Sequence, residues 1–260
     1  VDTGDMWECP DFFSLGDRHV LLISTMGRVF WRTGRYHDRR FIAEKEGVVD
    51  FGSYYAAKTM LDERGNRILW GWIPETRSEA DYRAAGWAGV MALPRALSLD
   101  TNGALRIAPA PAVEILRAHP MQVSAGDRNR DKSLANIRIR DLAGEIQARF
   151  AAKRAFLLRL RPEKGDPFAE IAYEPQKKDA QLRVNSTQAE FATHEPVTLR
   201  IFLDGSVLEV FANDNTVITA RAYAVPSTPL LVEVSDTTAL ETLDVWQMRP
   251  ISPDRLTGAL

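Results

Sequence analysis

The sequence is poor in the residues that build disulfides and metal centres. Cys9 is its one cysteine, so no disulfide can close within the chain. Its four histidines, His19, His37, His119 and His194, are scattered without zinc-ligand spacing and read as surface or packing residues. No stretch approaches the ~18 apolar residues of a transmembrane helix, so no membrane is expected as a partner. An excess of one charge is also lacking. The 35 acidic and 33 basic side chains leave a formal charge of −2, which removes the electrostatic case for nucleic acid or an anionic membrane surface. There is no P-loop, no dinucleotide-binding glycine pattern and no serine in a nucleophile elbow. What remains is ample: 260 residues, 45% of them apolar, suffice for one large domain or two small ones around a buried core. The chain starts at Val1, without Met or signal peptide, and meets a Trp-Glu-Cys-Pro-Asp motif within seven residues. That suggests a start inside a longer protein.

Strand signals dominate. Val20–Ser24 reads as a short buried strand, followed by Arg28–Trp31 and a turn-like Thr33-Gly34-Arg35. Tyr54–Met60 and Arg67–Trp72 flank a polar hairpin connection, Asp62–Asn66. Further strands are expected at Ile146–Phe150, Phe156–Leu160, Val217–Tyr223, Leu230–Val234 and Leu243–Met248. Thr198–Leu203 and Val207–Phe211 bracket Asp204-Gly205, a strong hairpin signal because both turn positions favour φ > 0. The best helix lies at Pro109–His119, stopped by Pro120, and reads as a connector between two domains. Glu75–Ala85 is polar, either a loop or one helical turn. The pattern as a whole indicates an all-β chain of sandwich or radial sheets.

Glu8 is the first candidate for chemistry. Flanked by Trp7, Cys9 and Pro10, it stands to lose water on folding, and desolvation makes a carboxyl a usable proton donor near neutral pH. Asp11 follows three positions later, across the rigid Pro10. The alternative is a solvated acid at a strand end beside core aromatics. Asp50–Thr59 packs an acid, Tyr54, Tyr55 and Lys58 together, groups able to hydrogen-bond sugar hydroxyls and cover apolar C–H patches. Equally, the two tyrosines can face opposite sides of a strand, one of them merely core. In Trp70-Gly71-Trp72-Ile73-Pro74-Glu75, one tryptophan packs while the other lines a pocket near Glu75. Arg35–Arg40 and Arg128–Lys132 read as solvated turns. Asn185-Ser186-Thr187 matches a glycosylation sequon, relevant only in a secretory eukaryotic setting. A single cysteine fits an exported or a cytoplasmic protein alike.

Taken in order, these motifs resemble family 32 of the glycoside hydrolases, the β-fructofuranosidases. Trp7-Glu8-Cys9-Pro10-Asp11-Phe12-Phe13 is similar to the family's acid/base motif. The likeness continues through Asp50–Ala56, Ile68–Ile73 and Gly86–Arg95, and ends at Phe202–Phe211. The resemblance implies the last blades of a five-bladed β-propeller at 1–118, followed by a β-sandwich at 119–260. It implies that Glu8 is the acid/base, with Trp7, Asp11, Tyr54, Trp72 and Glu75 as substrate contacts or as the shell around Glu8. No metal or organic cofactor is implied, and the partner would be a fructose-containing saccharide.

The sequence also departs from the family. Its nucleophile lies in an Asn-Asp-Pro-Asn motif and its transition-state stabiliser in Arg-Asp-Pro; neither occurs here. Asn213-Asp214 lacks the following proline and lies too late, so it is read as a decoy. The resemblance therefore covers the C-terminal part only, and the chain alone is expected to be inactive. Exposed strand edges would pair with the missing propeller part or by self-association. The alternative is a non-catalytic carbohydrate-binding or assembly module derived from such an enzyme.

Overall fold

The computed structural model describes residues 3–127, 130–175, 180–224, 226 and 228–252. The chain is all-β, with two short α-helices and one 3-10 turn among the described residues. It divides into two compact units: Val1–Pro111 with Phe211–Arg221, and Ala112–Val210 with Ala222–Leu260. The linear 118/119 division drawn from the sequence does not anticipate the return of 211–221 to the first unit.

The first unit contains an antiparallel meander of β1 (Glu8–Leu15), β2 (Arg18–Thr25), β3 (Arg28–His37) and β4 (Arg40–Val48). Each loop in it has two residues. Met26-Gly27 and Asp38-Arg39 have φ > 0 at both positions, the geometry that suits the right-handed twist of a hairpin. The turn expected at Thr33–Arg35 does not form. Strand β3 continues through Gly34 beside a bulge in β4, where Glu44 is the extra residue, and an added Cβ on Gly34 would lie 2.0 Å from the Ile42 carbonyl oxygen. Glycine there serves close strand approach, not chain reversal.

A second sheet follows from β5 (Tyr55–Leu61) and β6 (Arg67–Ile73), α1 (Glu79–Ala85), β7 (Val90–Met91), β8 (Arg95–Leu99) and β9 (Leu105–Pro109). Its order is β5-β6-β8-β9, with β7 also on β6. The β5–β6 loop forms as expected, with the Asp62 carboxylate accepting from the Arg64 and Asn66 amides and Gly65 at φ 80°. Within the polar 75–85 stretch, α1 is capped by Ser78, whose Oγ accepts from the Asp81 amide, and ends at Gly86, φ 76°. Val20, Leu22, Leu69, Ile73 and Ile107 are among the buried residues of this unit.

The expected helix at Pro109–His119 is instead a 3-10 turn, Pro111–Leu116, leading directly into β10 (Arg117–Ser124). Pro120 lies within β10, an edge strand, at a register shift between Ala118 and Met121. Edges and bulges are where a strand tolerates a residue without N–H.

The second unit goes on with α2 (Arg130–Ala135), β11 (Arg138–Ile139), β12 (Ala143–Phe150), β13 (Phe156–Arg161), β14 (Ala169–Glu174), β15 (Gln181–Val184), β16 (Thr187–Glu190), β17 (Val197–Asp204) and β18 (Val207–Ala212). The remaining strands are β19 (Thr216–Arg221), β20 (Leu230–Val234) and β21 (Leu240–Met248). Two six-stranded sheets result, β10-β21-β12-β17-β18-β19 and β11-β20-β13-β14-β15-β16, with Phe211–Arg221 grouped in the first unit. Phe150 of one sheet stacks on Phe156 of the other at 3.8 Å. Of the expected Arg128–Lys132 turn, 128 and 129 lie outside the described residues, and Arg130 opens α2. At the β17–β18 hairpin the loop residues are Gly205-Ser206. Of Asp204 and Gly205, only Gly205 has positive φ, 56°. The Asn213-Asp214 pair forms the β18–β19 turn, with φ 47° and 53°.

Candidate active site

Glu8 opens β1 and Tyr55 opens β5, and their side chains meet. The Tyr55 hydroxyl donates to Glu8 Oε2 at 2.5 Å. That bond pushes the Tyr55 phenol up to about 12, helped by burial and by the charge on Glu8, since an ionised tyrosine would lose its acceptor and face a carboxylate. Two further links tie the strands together nearby. Lys58 Nζ donates to the Pro10 carbonyl at 2.6 Å, and Asp11 Oδ2 accepts from the Thr59 amide and hydroxyl at 2.7 and 2.8 Å. Asp11 thus fixes β1 to β5.

Glu8 is exposed, so the water-poor setting expected from its sequence neighbours is not formed. Pro10 is exposed as well, and Trp7 is 45% exposed beside the Arg32 guanidinium, so neither covers the carboxylate. What Glu8 has is a directed hydrogen bond rather than desolvation.

The two tyrosines divide into one core residue and one beside Glu8. Tyr54 is 1% exposed, with the Arg95 guanidinium 4.0 Å from its ring, and it packs so tightly on β6 that a Cβ on Gly71 would strike its ring. It is a core residue, not a surface for sugar. Tyr55, which the sequence reading did not select, is the tyrosine beside Glu8. Adjacent strand residues face opposite ways, which separates the two.

Trp72 lies opposite Tyr55 in register and is 44% exposed. Glu75, just past β6, is largely buried and engaged. Its Oε1 accepts from Arg77 Nε at 3.0 Å and its Oε2 from Arg77 Nη2 at 2.8 Å, while Arg77 lies over Trp87 at 4.2 Å. Glu75 organises this loop. Glu8 and Asp11 of β1 are thus joined to β5 by hydrogen bonds, Tyr55 lies across from Trp72 of β6, Tyr54 is buried, and Glu75 stands just past the end of β6.

Asp50 is likewise internal. Its Oδ1 accepts from the Gly52 and Thr219 amides, and its Oδ2 from Arg95 Nη2 and the Thr219 hydroxyl. Phe51 and Ser53 amides bond the Val217 and Thr219 carbonyls, which explains why 211–221 belongs to the first unit. Among the described residues no group of three His, Cys, Asp or Glu could hold a metal ion. Among them too, no helix is long and apolar enough to cross a membrane.

The E. coli sucrose-6-phosphate hydrolase is 30% identical, over 87% of this chain and 52% of that protein. The fold is similar to fructan 1-exohydrolase IIa of Cichorium intybus in complex with 1-kestose, with TM-score 0.74 and 21% identity, covering 94% of this chain and 62% of that one. It is also similar to sucrose-6-phosphate hydrolase of Lactobacillus gasseri, with TM-score 0.77 and 21% identity, covering 95% and 55%. The chain thus spans about half the length of the E. coli relative. The model of the Glycosyl hydrolases family 32 N-terminal domain matches residues 1–109, so the likeness is not to the family's C-terminal part alone. That of the family 32 C terminal matches residues 113–247. With the two matches meeting end to end over nearly its whole length, the chain belongs to glycosyl hydrolase family 32.

Proposed function

We propose that Glu8 is the acid/base carboxyl of a site that hydrolyses β-fructosides by a retaining double displacement. The observation that carries this reading is the exposed Glu8 carboxyl held through Oε2 by the Tyr55 hydroxyl at 2.5 Å. Oε1 is then the oxygen placed for proton transfer. In the first step Glu8 protonates the oxygen leaving the fructosyl anomeric carbon while a carboxylate nucleophile attacks that carbon. In the second it takes a proton from the water that releases the fructosyl group. Trp7 and Trp72 offer exposed rings to the sugar, Asp11 and Glu75 hold the strand and loop around it, and Tyr54 supports Tyr55 from below. The substrate is a fructose-containing saccharide such as sucrose, levan or inulin, and no metal or organic cofactor takes part.

On this reading the first unit supplies the last blades of a five-bladed propeller and the second is a β-sandwich. The sequence holds neither Asn-Asp-Pro-Asn nor Arg-Asp-Pro, so the 260 residues alone turn over little or no sucrose. A relative's segment carrying both motifs, added in trans, is expected to restore turnover. Glu8→Gln should then lower it by ~10²–10⁴-fold. Undiminished turnover in that variant would remove Glu8 from the mechanism.

A second reading, a carbohydrate-binding or assembly module, draws on one observation. Of the thirteen large apolar side chains exposed among the described residues, eleven belong to the first unit, including Phe12, Tyr36, Met60, Trp70 and Met91. Surface of this kind favours association, either with the complementing propeller segment or with a second copy. Sedimentation of the chain alone separates the two, and calorimetry with fructans in the absence of hydrolysis tests sugar binding.

A further inference from the structure

The two strands that bring Glu8 and Tyr55 together are interrupted in the same way. On β1, Glu8 lies opposite Ser24 and Asp11 opposite Leu22; on β5, Tyr55 lies opposite Trp72 and Lys58 opposite Trp70. Each strand thus spends three residues against its partner's two, the signature of a bulge with one extra residue. In both bulges the residue directly after the site side chain is left-handed, Cys9 at φ 47° and Ala56 at φ 53°. Glycine usually fills that position, because a Cβ there crowds the following carbonyl.

The bulges have a geometric consequence. Side chains alternate with period two, so residues three apart would normally face opposite ways. The extra residue sets Glu8 and Asp11 across from same-face residues of β2, and Tyr55 and Lys58 across from same-face residues of β6. The links between β1 and β5 fall on these two levels, Glu8 with Tyr55 and then Pro10 and Asp11 with Lys58 and Thr59. Equal insertions keep the two levels matched. A bulge on one strand alone would shift one level by a residue, about 3.3 Å, beyond the tolerance of a hydrogen bond.

We propose that Cys9 and Ala56 are positioning residues, whose matched left-handed bulges set the Glu8 carboxylate against the Tyr55 phenol. The functional meaning of this device rests on Glu8 being the acid/base; its geometry does not.

The test follows Tyr55 by NMR in the ¹³C-tyrosine-labelled 260-residue chain, the resonance assigned with Tyr55→Phe. With the phenol pushed up to about 12, about a tenth of Tyr55 is ionised at pH 11. A phenol released to its ordinary value near 10 would be about nine-tenths ionised. Ala56→Gly allows the left-handed backbone and should match wild type. Ala56→Val opposes it and should release Tyr55. Both variants behaving as wild type overturns the proposal, and so does release in both, which would trace the contact to the Ala56 methyl group. Should Ala56→Val not fold, the double variant Cys9→Gly/Ala56→Gly decides. It is expected to keep Tyr55 protonated with a Tm no lower than wild type, and release of Tyr55 overturns the proposal. Failure of the acid/base reading registers separately, as complemented turnover indifferent to Glu8→Gln with the Tyr55 result intact.

Discussion

Asp50 and Arg95 form an ion pair at 2.8 Å with both side chains fully buried. Breaking such a pair from one side strands a charge where water cannot reach it. Asp50→Ala is therefore expected to cost ~3–5 kcal/mol, read as a lower urea midpoint at unchanged slope. A loss below ~1 kcal/mol would mean that the buried guanidinium finds another anion.

Gly52 is irreplaceable for a steric reason. A Cβ there would lie 1.9 Å from the Thr219 carbonyl oxygen, a backbone atom with no rotamer to swing aside. Gly52→Ala should cost at least the ~1–3 kcal/mol typical of overpacking and loosen Phe211–Arg221. Hydrogen exchange at the Thr219 amide reports it, and unchanged protection there would refute the contact.

Alkaline stability has a worked sign. Tyr55 is pushed up to about 12, and burial raises Tyr173 above its usual 10. A group whose folded value exceeds its unfolded value contributes stability that is complete below the unfolded value and lost as pH rises through the folded one. Tm should therefore hold to about pH 10 and decline toward pH 12, and Tyr55→Phe should flatten part of that decline. A Tm insensitive to pH across this window contradicts the bond to Glu8.

Tyr55→Phe also makes a kinetic prediction in the complemented enzyme. The phenol holds Oε2 of Glu8, so its loss lets the carboxyl turn away from the leaving oxygen. kcat is expected to fall about tenfold with KM little changed. An undiminished kcat would leave Tyr55 a structural role only.

In the second unit, Glu145 is fully buried on β12 between Arg117 and Arg200, at 2.7 and 2.8 Å, with Arg117 over Trp246. Glu145→Ala removes the buried anion and leaves Arg117 and Arg200 only the partly exposed Glu114 carboxylate, at 3.4 and 3.3 Å, so the expected cost lies at or below the ~3–5 kcal/mol of breaking a buried pair. Glu145→Gln, which keeps the shape, should lose less. Equal losses would show that volume rather than charge holds the cluster.

Strand positions are legible where turn chemistry and β-branched runs agree. Leu230–Val234 coincides with β20, and the Asp62–Asn66 connection joins β5 to β6. The bulges are not legible. A straight ladder continued from the Leu61–Arg67 pair would place Tyr55 opposite Ile73, whereas the bulge places it opposite Trp72. Nothing in Ala56-Ala57 announces the extra residue, since alanine is not the residue that left-handed backbone favours. That register sets Tyr55 and Lys58 across from Trp72 and Trp70. Glu8 is proposed from its motif, but the desolvation argument attached to it fails, because exposure is decided by what packs above a strand rather than by sequence neighbours. Pro120 misleads for a similar reason: proline ends helices, but edge strands accept it.

The return of Phe211–Arg221 to the first unit also constrains how the protein is made. Thr219, which donates to both carboxylate oxygens of Asp50, lies 169 residues downstream of it. At ~5–20 residues per second, a ribosome delivers it about ten to thirty seconds after Asp50. During that interval the earlier strands exist as a nascent chain whose buried acid still waits for its amide and hydroxyl donors. Release of the first unit at residue 111 would make that wait permanent.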